Sequence, residues 1–120
     1  MKRIAAIFGG LAVILGALSA HALQEVLAPQ ALESFKTATT YQLFHAIALI
    51  ALPSSEKFIW TARCWVAGIL LFSFSIYGLA LDELVGLNLS FLGPITPLGG
   101  LSLILGWAFL WNSWTNDTRA

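Results

Sequence analysis

Two histidines, one cysteine and a short polar run hold most of the side chains in this sequence that could do chemistry. His21 and His45 are its imidazoles, and Cys64 is its one thiol. The run Ser34-Phe35-Lys36-Thr37-Ala38-Thr39-Thr40-Tyr41-Gln42-Leu43-Phe44-His45-Ala46 brings a phenol, an amide and an imidazole into an otherwise apolar stretch. Wound as a helix, it places Ser34, Ala38, Tyr41, Gln42, His45, Ala48, Leu49 and Leu52 on one face, and Leu43, Ile47 and Ile50 on the other. Imidazoles on neighbouring helices could ligate a metal or haem, or pass protons. The plainer role is a hydrogen bond from each to a facing helix, which fixes helix pairing. Tyr41 and Gln42 could hold the tautomer of His45, or serve as interface anchor and helix glue. Ser73 and Tyr77 share a face at four-residue spacing and could extend the same cluster. The candidate cluster is thus His21, Tyr41, Gln42, His45, Ser73 and Tyr77, and the holding role is the one expected of it.

Other motifs carry little chemistry. The pair Asp82-Glu83 could attract a cation, although a solvated acidic pair ending a helix is the simpler account. Gly99-Gly100 is followed by no lysine and is no phosphate loop. There is no Gly-x-Ser-x-Gly elbow, no metalloprotease motif and no pair of intramembrane carboxylates. A lone cysteine excludes an internal disulfide and a cysteine zinc cluster. No catalytic residue, metal site or cofactor is expected, and the chain is read as a non-enzyme.

The elements that position these residues follow from composition. Of 120 residues, 58% are hydrophobic and 10% charged, against about 25% charged in ordinary globular proteins. Net charge is zero and no basic block exists, so nucleic-acid binding has no electrostatic footprint. The expectation is an all-α polytopic membrane protein, a single integral domain over residues 1–120. Four transmembrane helices form an antiparallel bundle, with spans at about 4–23, 37–52, 59–81 and 98–114 and an interfacial helix at about 29–36. The first run also fits a secretory signal, with Lys2-Arg3 before it and Ala20-His21-Ala22 resembling a cleavage site. Against cleavage, it separates large residues (Ile4, Ile7, Phe8, Leu11) from a glycine and alanine face that lets another backbone approach.

Pro29 suits the first turn of the second helix, and Pro53 ends it. Asp82-Glu83 closes the third span. Residues 84–97 form an apolar loop that lies along the interface or dips inward as a re-entrant segment. Thr96-Pro97 reads as N-cap and first-turn proline of the fourth span, on which Gly99, Ser102, Gly106 and Ser113 make a stripe of small residues. Gly9, Gly16, Gly99 and Gly106 are the expected helix-packing positions. With cytoplasmic termini, four spans put Lys2, Arg3, Lys57, Arg63 and Arg119 inside and Lys36 outside.

The stretches Gly16-Ala17-Leu18-Ser19-Ala20-His21 and Phe35 to Ala46, then Leu71-Phe72-Ser73-Phe74-Ser75-Ile76-Tyr77 and Leu92-Gly93-Pro94-Ile95-Thr96-Pro97-Leu98-Gly99-Gly100 leading to Gly106-Trp107, resemble a family of small bacterial inner-membrane proteins of unknown function. Its eukaryotic relatives are called transmembrane protein 256-like. The match covers nearly the whole chain; Leu18-Ser19 stands where many members carry an aromatic and a glycine. The resemblance implies a four-span, multi-pass protein of the bacterial plasma membrane with cytoplasmic termini, and supplies no catalytic residues. The expected role is that of an accessory, assembly or oligomerising bundle, with the lipid bilayer and a membrane-protein partner or further copies of itself around it. The alternative is a small transporter or ligand-binding bundle with an outer-half polar pocket around His21 and His45.

Overall fold

The computed structural model describes residues 1–117, so Arg119 and its part in the charge count lie outside the described residues. These residues form helices and turns, with no strand among them. The order is α1 (Lys2–Ala20), α2 (Pro29–Ala51), α3 (Ile59–Gly68), a π-helical turn (Ile69–Ser73), α4 (Phe74–Val85) and α5 (Ile95–Asp117). Short 3-10 turns lie at Ala22–Gln24, Glu56–Phe58 and Ser90–Leu92.

Each end has a local cause, and several differ from the sequence expectation by a few residues. Pro29 opens α2, where its missing N–H costs nothing, and Pro53 stands just past the extended Leu52 that closes it. Interfacial helix and second span are one continuous helix, since nothing between Thr37 and Tyr41 interrupts the backbone ladder. Asp82 and Glu83 fall just short of the helix end. They lie in the last turn of α4, and Gly86 ends it with a left-handed φ of 68°. The Leu87 N–H then donates to the Asp82 carbonyl at 3.0 Å, a cap that favours glycine at the turning point. The helix starting α5 begins at Ile95, so Thr96 is inside it and is no N-cap. Its hydroxyl sits 2.6 Å from that of Ser75 on α4.

Among the described residues, three helical segments are long and apolar enough to cross a membrane: Lys2–Ala20, Glu56–Val85 and Ser90–Asn116. The second of these is the 3-10 turn at Glu56–Phe58, α3, the π turn and α4 taken together. The α2 helix has 23 residues, about 34 Å at about 1.5 Å per residue, but its polar run keeps it out of that group. Large apolar side chains such as Ile7, Val13, Ile14, Phe44, Leu101 and Ile104 point outward. A surface of that kind suits hydrocarbon and not water.

The helices neighbour one another in chain order. α1 runs along α2, α2 packs on the π turn and α4, and α5 packs along α3 and the π turn. Among the described residues no Cα of α1 comes within 8 Å of one in α5. Ser102 meets Cys64 and Ser113 meets Lys57, so α5 runs antiparallel to α3, and α1 and α5 do not close the bundle against each other. Lys2 and the segment from Ser54 to Phe58 border one groove, which puts Lys2 and Lys57 at the same end of the molecule.

Two apolar clusters make the core. One joins Phe8, Ala46, Leu49, Phe58, Trp65, Ile69 and Leu103; the other joins Phe35, Ala38, Tyr77 and Ala80. The buried series Thr61, Trp65, Ile69, Ser73, Tyr77 recurs every four residues. In a straight α-helix such a series drifts by about 40° per step, because a turn takes about 3.6 residues. The π turn takes up part of that drift and lets one helical rod face α5 with Trp65 and α2 with Ser73 and Tyr77.

Candidate functional site

The polar run on α2 delivers its side chains to the region between the two apolar clusters. Gln42 has no exposed surface, and both ends of its amide are used. Its Nε2 donates to the Phe8 carbonyl on α1 at 2.7 Å, and its Oε1 accepts from the Tyr77 hydroxyl on α4 at 2.7 Å. One amide thus ties three helices. Ser73, in the π turn, donates to the Ala38 carbonyl of α2 at 2.9 Å. A carbonyl that already serves its own helix keeps a second lone pair for such a bond.

His45 is buried and bonded at both nitrogens. Nδ1 lies 2.8 Å from the Tyr41 carbonyl, and the Trp107 indole N–H donates to Nε2 at 3.0 Å. An indole N–H only donates, so Nε2 is the acceptor and the proton sits on Nδ1, facing Tyr41. A neutral imidazole satisfies both partners; an imidazolium would turn a donor toward the Trp107 N–H. Around it, the rings of Trp65 and Trp107 lie 5.8 Å and 5.9 Å away, edge on, and Tyr41 stacks at 6.3 Å. Trp65 and Trp107 meet at 4.7 Å.

The structure brings together part of the predicted cluster. Gln42, Ser73 and Tyr77 converge, and His45 adjoins them with its own tryptophan partners. Tyr41 turns outward, 45% exposed, against Phe72. His21 does not join. It is exposed at the end of α1, at the end of the molecule where α2 begins. Phe8 is bonded to Gln42 and Gly9 faces Ala46 at 3.8 Å, so the antiparallel register separates His21 from His45. The separation is on the order of 20 Å at the rise of a helix. His45 also belongs to the half that carries Trp65 and Trp107, not to the half that carries His21. The expected pocket around His21 and His45 is therefore not formed, and a bis-histidine metal or haem site between them has no geometry to stand on. Among the described residues no three His, Cys, Asp or Glu side chains come together as a metal cage.

A groove of about 790 Å³ lies elsewhere. It runs between the first half of α2, α4 and the start of α5, with Glu33, Ser34, Thr37, Ile76 and Thr96 on its walls. Trp65 and Gly106 explain a contact that sequence reasoning missed. A Cβ on Gly106 would enter the Trp65 indole, so this glycine seats the ring. The Trp65 Nε1 and Thr61 Oγ1, one turn apart, are buried without hydrogen-bond partners. Gly99 has a stronger reason still, since a Cβ there would stand 2.6 Å from the Leu71 carbonyl carbon and 2.7 Å from the Phe72 Cα. On the same stripe, Ser102 donates to the Cys64 carbonyl at 2.8 Å and Ser113 to that of Lys57 at 3.1 Å. The stripe on α5 is thus the seam with α3 and the π turn. On α1, Gly9 makes an ordinary contact, whereas a Cβ on Gly16 would meet nothing within 4 Å. Gly16 is not a helix-packing position within the chain, contrary to expectation.

Apolar helices of spanning length, joined by interior polar bonds and coated with aliphatic side chains, define an integral helical membrane protein. Residues 15–100 match the family described as a protein of unknown function (DUF423), and the chain belongs to it. It is 43% identical over 110 residues to a UPF0382 membrane protein of Schizosaccharomyces pombe, covering 88% of this chain and 93% of that one. It is 38% identical over 112 residues to a UPF0382 membrane protein of Haemophilus influenzae, covering 89% and 86%. With the UPF0382 inner membrane protein YgdD of Escherichia coli it shares 34% identity over 116 residues, covering 92% and 85%. These similar proteins come from a yeast as well as from bacteria, so the bacterial source implied by the resemblance does not follow from them. No solved structure matches the chain.

Proposed function

We propose that this is a four-span protein of a bacterial plasma membrane, with both termini cytoplasmic, that works by helix packing as an accessory or assembly subunit and not as an enzyme. The observation that carries this reading is how the interior polar groups are used. Gln42, Ser73, Tyr77, His45 and Ser102 are each bonded to another helix. Their hydrogen-bonding capacity goes into holding the helices together. Retention of α1 is supported by the bond from Gln42 to Phe8, which makes α1 part of the core.

Assembly is supported by what the helices leave uncovered. Only 22% of the first spanning window and 17% of the last are buried within the chain. On α1 the small residues Ala6, Gly10 and Ala17 face outward, and a Cβ on Gly10 would meet nothing within 4 Å. Small residues on a lipid-facing helix allow a second helix to approach closely. Extraction in mild detergent followed by native mass measurement tests this. A mass above that of one chain with its detergent is expected; a stable monomer with no companion contradicts it.

A further inference from the structure

At the end of the molecule where α1 starts, a groove of about 420 Å³ opens between α1, the end of α2 and the start of α3. Its floor is apolar, made by Leu49, Leu52, Phe58 and Ala62. Its lining also includes the exposed polar residues Lys2, Ser54 and Ser55. Lys57 lies just outside, its Nζ 4.9 Å from the centroid of the Phe58 ring that forms part of the floor. Among the described residues, Glu56 is the one acid that borders the groove. The exposed Lys2, Arg3 and Arg63 all lie at this end.

We propose that this groove is a binding site for one anionic phospholipid. The phosphate sits at Lys2 with the Ser54 and Ser55 hydroxyls, and one acyl chain follows the floor along Leu49 and Phe58. Three features point to that occupant and not to a soluble anion. The cationic rim adjoins an apolar floor, the groove lies at the ends of membrane-crossing helices, and basic pockets between such helices suit lipid head groups. A zwitterionic lipid would bring its own cation to a rim already rich in positive charge. The site rests on the chain crossing the membrane, but not on the number of spans, the side on which the termini lie or any protein partner.

The test is native mass spectrometry of protein released from nanodiscs of phosphatidylglycerol and phosphatidylcholine. The wild-type chain is expected to keep one phosphatidylglycerol in preference to phosphatidylcholine. Lys2→Gln is expected to lower that occupancy about fivefold, the effect of one lysine near an anionic head group. Arg63→Gln removes a cation at the same end whose guanidinium lies over Trp60, 5.1 Å from the ring centroid; it is expected to leave occupancy unchanged. Ala62→Leu fills the floor at constant charge and is expected to lower it too. Equal retention of both lipids, equal losses in Lys2→Gln and Arg63→Gln, or full binding by Ala62→Leu would overturn the site. So would equally tight binding of glycerol phosphate, which has no acyl chain. Lys2 and Arg63 are exposed, so the two charge variants decide the matter whether or not Ala62→Leu folds.

Discussion

Gln42 is the residue on which the interior depends most, because its one side chain bonds two other helices. Gln42→Leu strands the Tyr77 hydroxyl and removes a donor from Phe8, so a loss of about 1–3 kcal/mol is expected in a folding titration in mixed micelles. Tyr77→Phe, which removes one bond, costs less. A double-mutant cycle between them should return a coupling of about 0.6 kcal/mol, and at most about 1.7. Additive losses would mean that the bond between them contributes nothing. His45 offers a second check without mutation. Nitrogen NMR of its ring should show the neutral form protonated at Nδ1, and an Nε2-protonated ring would contradict the bond from Trp107. Gln42, Ser73 and Tyr77 were legible as a cluster because their types and spacing are local facts. The exclusion of His21 was not, since it depends on the register of α1 against α2. The Trp107 partner of His45, 62 residues away, gives no local signal at all.

At the scale of elements, the small stripe on α5 is the readable feature that the structure carries through. Gly99→Ala drives a methyl into the backbone of the π turn, and overpacking of that kind costs about 1–3 kcal/mol. Gly16→Ala meets open space and should change stability by no more than about 0.5 kcal/mol. Thermal unfolding of both variants in the same detergent checks the contrast, and similar losses would show that α1 packs differently. The stripe on α5 could be read because glycine and serine recur there at helical spacing against bulky neighbours. On α1 the same composition misleads. Small residues cover too wide an arc for sequence alone to say which of them meet α2, and Phe8, assigned to the large face, is buried. The π turn left a trace in the four-residue recurrence from Thr61 to Tyr77, which a strict α-helical reading passes over.

For the whole molecule, the four-span account turns on how α2 lies relative to the bilayer. Composition is enough to identify a helical membrane protein, since so few charges cannot cover a soluble surface. It does not count the spans, because α2 carries its polarity inward, where Gln42 and His45 are bonded and no longer exposed to lipid. Average polarity leaves α2 out of the spanning group, although Phe44, Ile47 and Ile50 face outward from it. The charge pattern favours four spans, because the cations of the starts of α1 and α3 then share one side. The direct measurement is labelling by a membrane-impermeant thiol reagent of single cysteines introduced into a Cys64→Ser background. Gln24→Cys and Asn88→Cys should react in intact cells, whereas Ser54→Cys and Asn116→Cys should react only after permeabilisation. Reaction of Gln24→Cys and Ser54→Cys from the same side would show that α2 does not cross, and would contradict the four-span account.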